Sequence, residues 1–373
     1  MIGERFGTHR VIDPPGALPQ AAWRLDNDVR RVFDDEVVID VETLNIDSAS
    51  FRQMEERAAK EAGAGGDRPD VEQPALAGLS GTAAGVERLL LSTVGERGKQ
   101  HNPVTGSGGM LVGRIARIGP AATCAREAGV TVGERVATLV SLTLTPLSIE
   151  RVRAVHLDTH QIDVEGRAIL FASGALARLP AGLDDRVALA ALDVAGAAPQ
   201  VARLTRPGAA VLVLGCGGKS GLLVAAAAKR AGAGVVVGVE RSDGAAAPAR
   251  RLGACTSVVV ADAADALAVS RAAVAAAGRE FDLAVSCVNV ENAEMGAILA
   301  TRDGGTVYFF SMATSFTRAA LGAEGVSRDV AMLIGNGYCP GHAAATLALL
   351  DEEPVLREIF GERFGGKGGR RAG

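Results

Sequence analysis

The run Val211-Leu212-Val213-Leu214-Gly215-Cys216-Gly217-Gly218-Lys219-Ser220-Gly221 constrains the fold of this chain more than any other stretch. Apolar strand residues break into glycines, and a helical pattern from Leu222 to Ala231 follows at once. A doubly wound sheet presents a helix N-terminus to a pyrophosphate in this way. The glycines let the backbone come close, and unpaired N–H groups face the anion. A second strand, Gly234 to Val239, ends at Glu240, whose carboxylate suits the hydroxyls of an adenosine ribose. The spacing reads Gly-x-Gly-Gly-x-x-Gly, so the third glycine falls one place later than in the strict dinucleotide fingerprint. Gly218-Lys219-Ser220 also resembles the end of a triphosphate loop. That motif needs a glycine where this chain has Val213, inside the strand. A plain helix–strand packing turn is the third reading. The dinucleotide reading is favoured, with Gly215, Gly217, Gly218, Lys219, Ser220, Gly221, Glu240 and Arg241 as cofactor-binding candidates.

At 373 residues the chain has room for two domains, each with its own core. A net charge of −4 gives no electrostatic reason to expect nucleic acid or an anionic membrane as partner. The longest apolar candidate, around Leu222 to Val239, is interrupted by Lys229-Arg230 and several glycines, so no membrane span is expected. Glu4, Arg5, His9 and Arg10 leave no apolar core for a signal peptide. Cys124, Cys216, Cys255, Cys287 and Cys339 are odd in number and scattered, which fits a reducing cytoplasm rather than a disulfide framework.

Short β-like runs fill the first part: Val37 to Val41, Met110 to Ile118 and Arg135 to Val140, punctuated by Gly119-Pro120 and Gly133-Glu134. They predict a small β-rich domain over 1–180. An insertion of about 58–100 interrupts it. Ala58 to Thr82 reads as a mobile surface segment, followed by a short helix at Gly85 to Val94. From Leu179 the character changes. Leu189 to Leu204 reads as one helix stopped by Pro207-Gly208. Strands Ala210–Leu214, Gly234–Val239, Ser257–Val260, Leu283–Val288, Thr306–Phe310 and Val330–Ile334 then alternate with helices, which predicts a parallel sheet over 181–339. His342 to Phe364 reads as a C-terminal helix; the segment 340–373 is expected to return to the first domain and to end in a disordered tail.

A β-rich domain followed by a nucleotide-binding βαβ domain resembles the medium-chain dehydrogenase/reductase architecture. The resemblance implies an α/β fold, with an N-terminal GroES-like catalytic domain and a doubly wound Rossmann domain. Seven phrases carry a closer likeness: Gly7-Thr8-His9-Arg10-Val11-Ile12, Leu44-Asn45-Ile46-Asp47-Ser48-Ala49-Ser50-Phe51, Asn102-Pro103-Val104-Thr105-Gly106-Ser107-Gly108-Gly109-Met110, Ala137-Thr138-Leu139-Val140-Ser141-Leu142, Leu192-Asp193-Val194-Ala195-Gly196-Ala197, Phe310-Ser311-Met312-Ala313-Thr314-Ser315-Phe316 and Gly335-Asn336-Gly337-Tyr338. In this order they are similar to the L-erythro-3,5-diaminohexanoate dehydrogenase family of anaerobic lysine fermentation. The resemblance implies NAD(P)-dependent oxidative deamination of that diamino acid to 5-amino-3-oxohexanoate and ammonium. By analogy of architecture it also implies a homodimer.

Zinc-dependent relatives place a Cys where this chain has Ile46-Asp47-Ser48, and a His-Glu pair where it has Gly106-Ser107-Gly108. Neither position keeps a usable ligand set, so hydride transfer without zinc is expected. Oxidative deamination needs a neutral amine, a nicotinamide held against the reacting carbon, and water delivered to the imine. The second ammonium and the carboxylate of the substrate call for acidic and hydrogen-bond-donating groups.

Asp47, Asp193 and Ser107 are the catalytic candidates, with Asn45, Ser48, Thr105 and Glu324 for substrate binding. Asp47 has an equal alternative as the cap of a helix starting near Ala49. Asp193 lies in an apolar stretch and is expected to be paired or functional, against a charge on a helix face. Thr105 and Ser107 can orient the carboxylate, or simply belong to a glycine turn. Ser311 and Met312 follow the fifth strand of the parallel sheet, where ligands bind, and are expected to contact nicotinamide. Glu324 has the alternative of a solvated loop charge. His9 is read as a surface or strand-end residue, and Cys216 and Cys339 as packing. Glu240 repels a 2′-phosphate and favours NAD, while Arg241 and Ser242 leave NADP open. The competing functions are a zinc-free alcohol or enone reductase of the same architecture and a non-catalytic NAD-binding relative.

Overall fold

The computed structural model describes residues 1–64, 81–102, 108–311 and 313–365. The chain divides into two compact units, Met1–Ala181 and Gly182–Gly373.

In the first unit, strands β1 (Val11–Asp13) and β2 (Arg24–Leu25) pair as a small ribbon. A six-stranded antiparallel sheet contains β3 (Val37–Asn45), β4 (Met110–Ile118), β5 (Arg135–Thr138), β6 (Leu147–His156), β7 (Gln161–Leu170) and β8 (Leu176–Arg178), in the order β6-β7-β3-β4-β5-β8. Val37, Ile39, Val41 and Leu44 of β3 are buried in one core with Leu111, Ile115, Ile162 and Val164. Helices α1 (Ser48–Ala64) and α2 (Gly81–Arg97) pack on each other and add Phe51, Ala58, Val86, Leu90 and Val94 to that core. A third helix, α3 (Thr123–Ala128), closes on Gly129.

The segment expected to be a mobile insertion is therefore partly helix. Ala58–Ala64 ends α1, where Ala58 is wholly buried, and Gly81 opens α2, which is longer than the expected Gly85–Val94. Residues 65–80 lie outside the described residues. The β6–β7 hairpin has no counterpart in the sequence reading. Arg151, Arg153, Glu165 and Arg167 break its apolar pattern because they pair on its solvent side or with a neighbouring strand.

The second unit is built on six parallel strands: β9 (Ala210–Leu214), β10 (Val235–Glu240), β11 (Ser257–Val260), β12 (Phe281–Ser286), β13 (Thr301–Phe309) and β14 (Val330–Ile334). Their order is β11-β10-β9-β12-β13-β14, a doubly wound sheet that reverses at β9. Every residue of β9 is buried, as expected of a strand covered on both faces. Val211 and Val213 face one core with Leu283, Val285 and Tyr308; Ala210, Leu212 and Leu214 face the other with Ala284, Val307 and Phe309.

Two helix expectations are corrected here. Leu189–Leu204 is not one helix but α4 (Asp185–Leu192) and α5 (Ala197–Leu204), with a turn at Asp193–Gly196. The C-terminal helix is also two, and both pack within the second unit. Helices α6 (Lys219–Arg230), α7 (Asp243–Leu252), α8 (Ala266–Ala277), α9 (Glu294–Ala300) and α10 (Phe316–Gly325) precede α11 (His342–Glu352) and α12 (Pro354–Phe364). Leu349, Leu350, Leu356, Ile359 and Phe360 sit in the second unit's core, and Thr346 Oγ1 donates to the Ala195 carbonyl at 2.8 Å. The buried apolar faces of α11 and α12 are satisfied there, and Pro354 at the start of α12 breaks the run. Residues 366–373 lie outside the described residues.

Candidate functional site

In the second unit the turn after β9 has the backbone that a close anion requires. Gly215 is left-handed at φ 77°, and a Cβ at Gly221 would stand 2.0 Å from the Gly215 carbonyl oxygen. Gly218 is the N-cap of α6 and supplies no side-chain cap, so the first turn of that helix offers its N–H groups outward. The residues fit a dinucleotide pyrophosphate.

The polar side chains around the turn are already engaged. Glu240 accepts from the Gly217 N–H at 2.9 Å and from its neighbour Arg241 N–H at 3.2 Å, so it holds the turn against the end of β10. Lys219 Nζ lies 2.6 Å from Asp193 Oδ2. Arg363 of α12 donates to the Gly217 carbonyl at 2.5 Å. Asp193 is thus paired, at the turn that interrupts the apolar stretch, and it meets the lysine that opens α6 rather than standing alone. Arg241 is exposed.

At the carboxyl end of β13, the Ser311 hydroxyl accepts from the Ala313 N–H at 3.2 Å; Met312 lies outside the described residues. Glu324 is exposed, as its alternative of a solvated charge expects, on the last turn of α10 rather than in a loop. A different acid sits inside. Glu294, in the first turn of α9, is 3% exposed and accepts from the Ser315 N–H at 2.7 Å, while its Oε2 has no partner. Sequence offered no signal for it, because Glu291-Asn292-Ala293-Glu294 reads as a polar loop.

In the first unit, Asn45 ends β3 and its Oδ1 accepts from Gln161 Nε2 at 3.2 Å. Asp47 caps α1: Oδ1 accepts from the Ser50 N–H at 2.9 Å and Oδ2 from the Ser50 hydroxyl. The backbone of Gly109 presses on the same segment, since a Cβ there would stand 2.0 Å from the Asn45 carbonyl oxygen. The turn at Gly108–Gly109 and the segment Asn45–Asp47 are therefore in contact. Ser48 opens α1, but its side chain lies outside the described residues, as do Thr105 and Ser107.

Next to this corner runs a polar buried segment that sequence reasoning passed over. Lys99 is wholly buried and donates to the carbonyls of Pro19 at 2.6 Å and Gln20 at 3.3 Å; burial, with Arg97 nearby, pushes its ammonium down to about 8. His101 is pushed down to about 4 by burial and by Lys99 and Arg97, and its Nδ1 has no partner. His9 is half-buried just before β1, which is the strand-end alternative rather than the surface one. Its Nε2 lies 2.9 Å from Glu36, and its ring stands edge-on to Phe33. Arg10 and Glu36 form a buried bidentate pair at 2.5 and 2.8 Å. Among the described residues, no three His, Cys, Asp or Glu side chains converge, and no single helix is long and apolar enough to cross a membrane.

A family model described as the L-erythro-3,5-diaminohexanoate dehydrogenase N-terminal domain matches residues 9–65 and 76–180. A curated relative from Acetoanaerobium sticklandii, named L-erythro-3,5-diaminohexanoate dehydrogenase, is 47% identical over 98% of this chain and 100% of its own length. One of the same name from Fusobacterium nucleatum is 47% identical over 97% and 99%. Among solved structures, an alcohol dehydrogenase from Thermotoga maritima aligns with a TM-score of 0.52 at 12% identity, covering 88% of this chain and 85% of that one. A mycobacterial quinone oxidoreductase aligns at 0.50 with 15% identity, covering 92% and 86%. At such identities these two show the fold alone, that of medium-chain dehydrogenases. The near end-to-end identity shows more: the chain belongs to the L-erythro-3,5-diaminohexanoate dehydrogenase family, oxidoreductases acting on a CH–NH2 group.

Proposed function

We propose that this enzyme oxidatively deaminates L-erythro-3,5-diaminohexanoate to 5-amino-3-oxohexanoate and ammonium, with NAD as hydride acceptor and without zinc. The observation that carries the reading is the uncapped N-terminus of α6 behind Gly215 and Gly221, in a chain of this family. When bound, the nicotinamide accepts the hydride. Glu240, at the end of β10, favours NAD, because a carboxylate there meets a ribose hydroxyl better than a 2′-phosphate. Ser311 and Met312 are proposed to border the nicotinamide.

Asp47 is proposed as the carboxylate that draws the substrate ammonium. Its oxygens accept from the Ser50 N–H and hydroxyl, both neutral donors, which leaves it suited to meet a cation. Asp193 spends its charge on Lys219 and is proposed to position that lysine for the pyrophosphate. Thr105, Ser107 and the Gly108–Gly109 backbone are proposed to hold the substrate carboxylate, with Asn45 and Ser48 beside them. Ile46-Asp47-Ser48 and Gly106-Ser107-Gly108 support the zinc-free reading by residue type. A homodimer in a reducing cytoplasm, where the free cysteines stay thiols, completes the proposal.

The test is reduction of NAD and NADP with 3,5-diaminohexanoate, lysine, a 3-amino acid and simple alcohols. NADH formation from the diamino acid is expected, and turnover of alcohols alone would overturn the reading. Asp47→Asn keeps the helix cap and removes the charge, so it should fold normally yet lose at least about 100-fold in kcat/KM, within the range of a general acid–base group. Full activity in that variant would leave Asp47 as a cap only.

A further inference from the structure

Cysteines gather at the glycine-rich turn, and the proposed reaction uses none of them. Cys216 lies inside the turn and is wholly buried. Cys255, just before β11, is partly exposed. Both reach one point on the strand between them. A Cβ on Gly238 of β10 would stand 2.5 Å from Cys216 Sγ and 3.1 Å from Cys255 Sγ. The space a side chain would fill at that position is occupied by two sulfurs. The two thiols share a hydrogen bond, which raises the Cys216 thiol, aided by burial, and lowers the Cys255 thiol. The partly exposed member is thus the readier thiolate, and its buried neighbour is placed to resolve it.

We propose that Cys216 and Cys255 form an oxidation site, where a hydroperoxide converts the thiol pair to a disulfide that draws the cofactor turn out of shape. The Cys255 thiolate attacks the peroxide, the O–O bond breaks, and a sulfenic acid forms on Cys255 as the alcohol or water leaves. Cys216 sulfur then attacks Cys255 sulfur; the S–S bond forms, the S–O bond breaks, and the departing oxygen takes the Cys216 proton as water. Two thiols lose two electrons, and the hydroperoxide gains them. A disulfide holds its sulfurs about 2.05 Å apart, so Cys216 must be pulled toward Cys255. Its neighbour Gly217 is held on the other side by Glu240 and Arg363, and the strain falls on the turn between them.

The effect on the cofactor rests on the dinucleotide reading of this turn; the disulfide does not. The full-length enzyme is treated with hydrogen peroxide, its remaining thiols are alkylated, and peptides are mapped. A linked Cys216–Cys255 peptide is expected, together with NADH affinity weakened by about tenfold or more and restored by dithiothreitol. Cys255→Ser should keep full turnover and resist peroxide, with Cys255→Ala as the alternative if serine unsettles the fold. Absence of the linked peptide, or equal inactivation of the Cys255 variant, overturns the site. A linked peptide with unchanged NADH affinity overturns its control of the turn. Reduced enzyme that never binds NADH speaks against the proposed function, and the peptide map still decides the disulfide.

Discussion

The first unit buries Arg10, Asp35, Glu36 and Lys99, whereas among the described residues of the second only Glu294 is a buried Asp, Glu, Lys or Arg. The reason lies in how each unit satisfies its backbone. In the second, parallel strands and helices pair most peptide groups, so an almost wholly apolar interior suffices. In the first, long irregular connections leave carbonyls that no ladder reaches. Arg10 collects those of Asp26, Asp28 and Arg31, and Lys99 collects those of Pro19 and Gln20. Buried cations there take over the work that secondary structure does elsewhere, and a charge removed from the first unit should cost far more than one removed from the surface of the second.

The largest expected effect follows from Glu36→Gln. It leaves the buried Arg10 guanidinium with only the more distant Asp26 carboxylate, 3.6 Å away, at a cost of about 3–5 kcal/mol, measured by urea unfolding of the full chain. A loss under about 1 kcal/mol, as for an exposed pair, would erase the contrast between the units.

Acid should come next, acting through the same unit. Burial alone would raise Glu36, but hydrogen bonds from Arg10, His9 and the Phe33 N–H outweigh it and bring it to about 2, from 4.5. Its contribution is complete above pH 4.5 and is lost as pH falls toward 2. His101, held at about 4 instead of 6.5, binds its proton more weakly folded than unfolded. Its contribution is complete above pH 6.5 and is lost as pH falls through 4. Unfolding midpoints at pH 7, 5.5 and 4 should therefore decline, and His101→Gln should flatten the upper part of that decline. An unchanged slope would show that the buried imidazole does not govern it.

The smallest effect belongs to the second unit. Asp193→Asn removes the partner of Lys219, in a pair whose side chains are 46% and 35% exposed, so stability should change by under about 1 kcal/mol. Without the carboxylate that positions it, the lysine should bind the pyrophosphate less well and NAD binding should weaken by up to about fivefold, read by fluorescence titration with NADH. Tighter binding would mean that Asp193 restrains the lysine rather than positioning it.

The parallel unit was largely legible in sequence because its strands are short apolar runs separated by glycines. Ala210–Leu214, Ser257–Val260 and Val330–Ile334 have the expected bounds. The first unit was less so. Arginines and glutamates interleave along β6 and β7, and the alternation that marks a one-sided strand is hidden by charges that pair across it. The break between α4 and α5 carries no proline, and only the turn at Asp193–Gly196 ends the run. At the candidate site, Gly215–Gly221 and Glu240 are local in sequence and readable. Glu294, Arg363 and the sulfur pair at Gly238 depend on residues brought together from distant elements. No spacing rule reports them.

The Arg363 contact also has a meaning in time. The carbonyl it secures belongs to Gly217, 146 positions earlier. A ribosome adding about 5–20 residues each second needs roughly 7–30 seconds to bridge that interval. Throughout it, the glycine-rich loop exists without the Arg363 tether. A growing chain can therefore make every strand of its parallel sheet, the last ending at Ile334, before the loop acquires its final form, which makes this loop one of the last parts of the enzyme to mature.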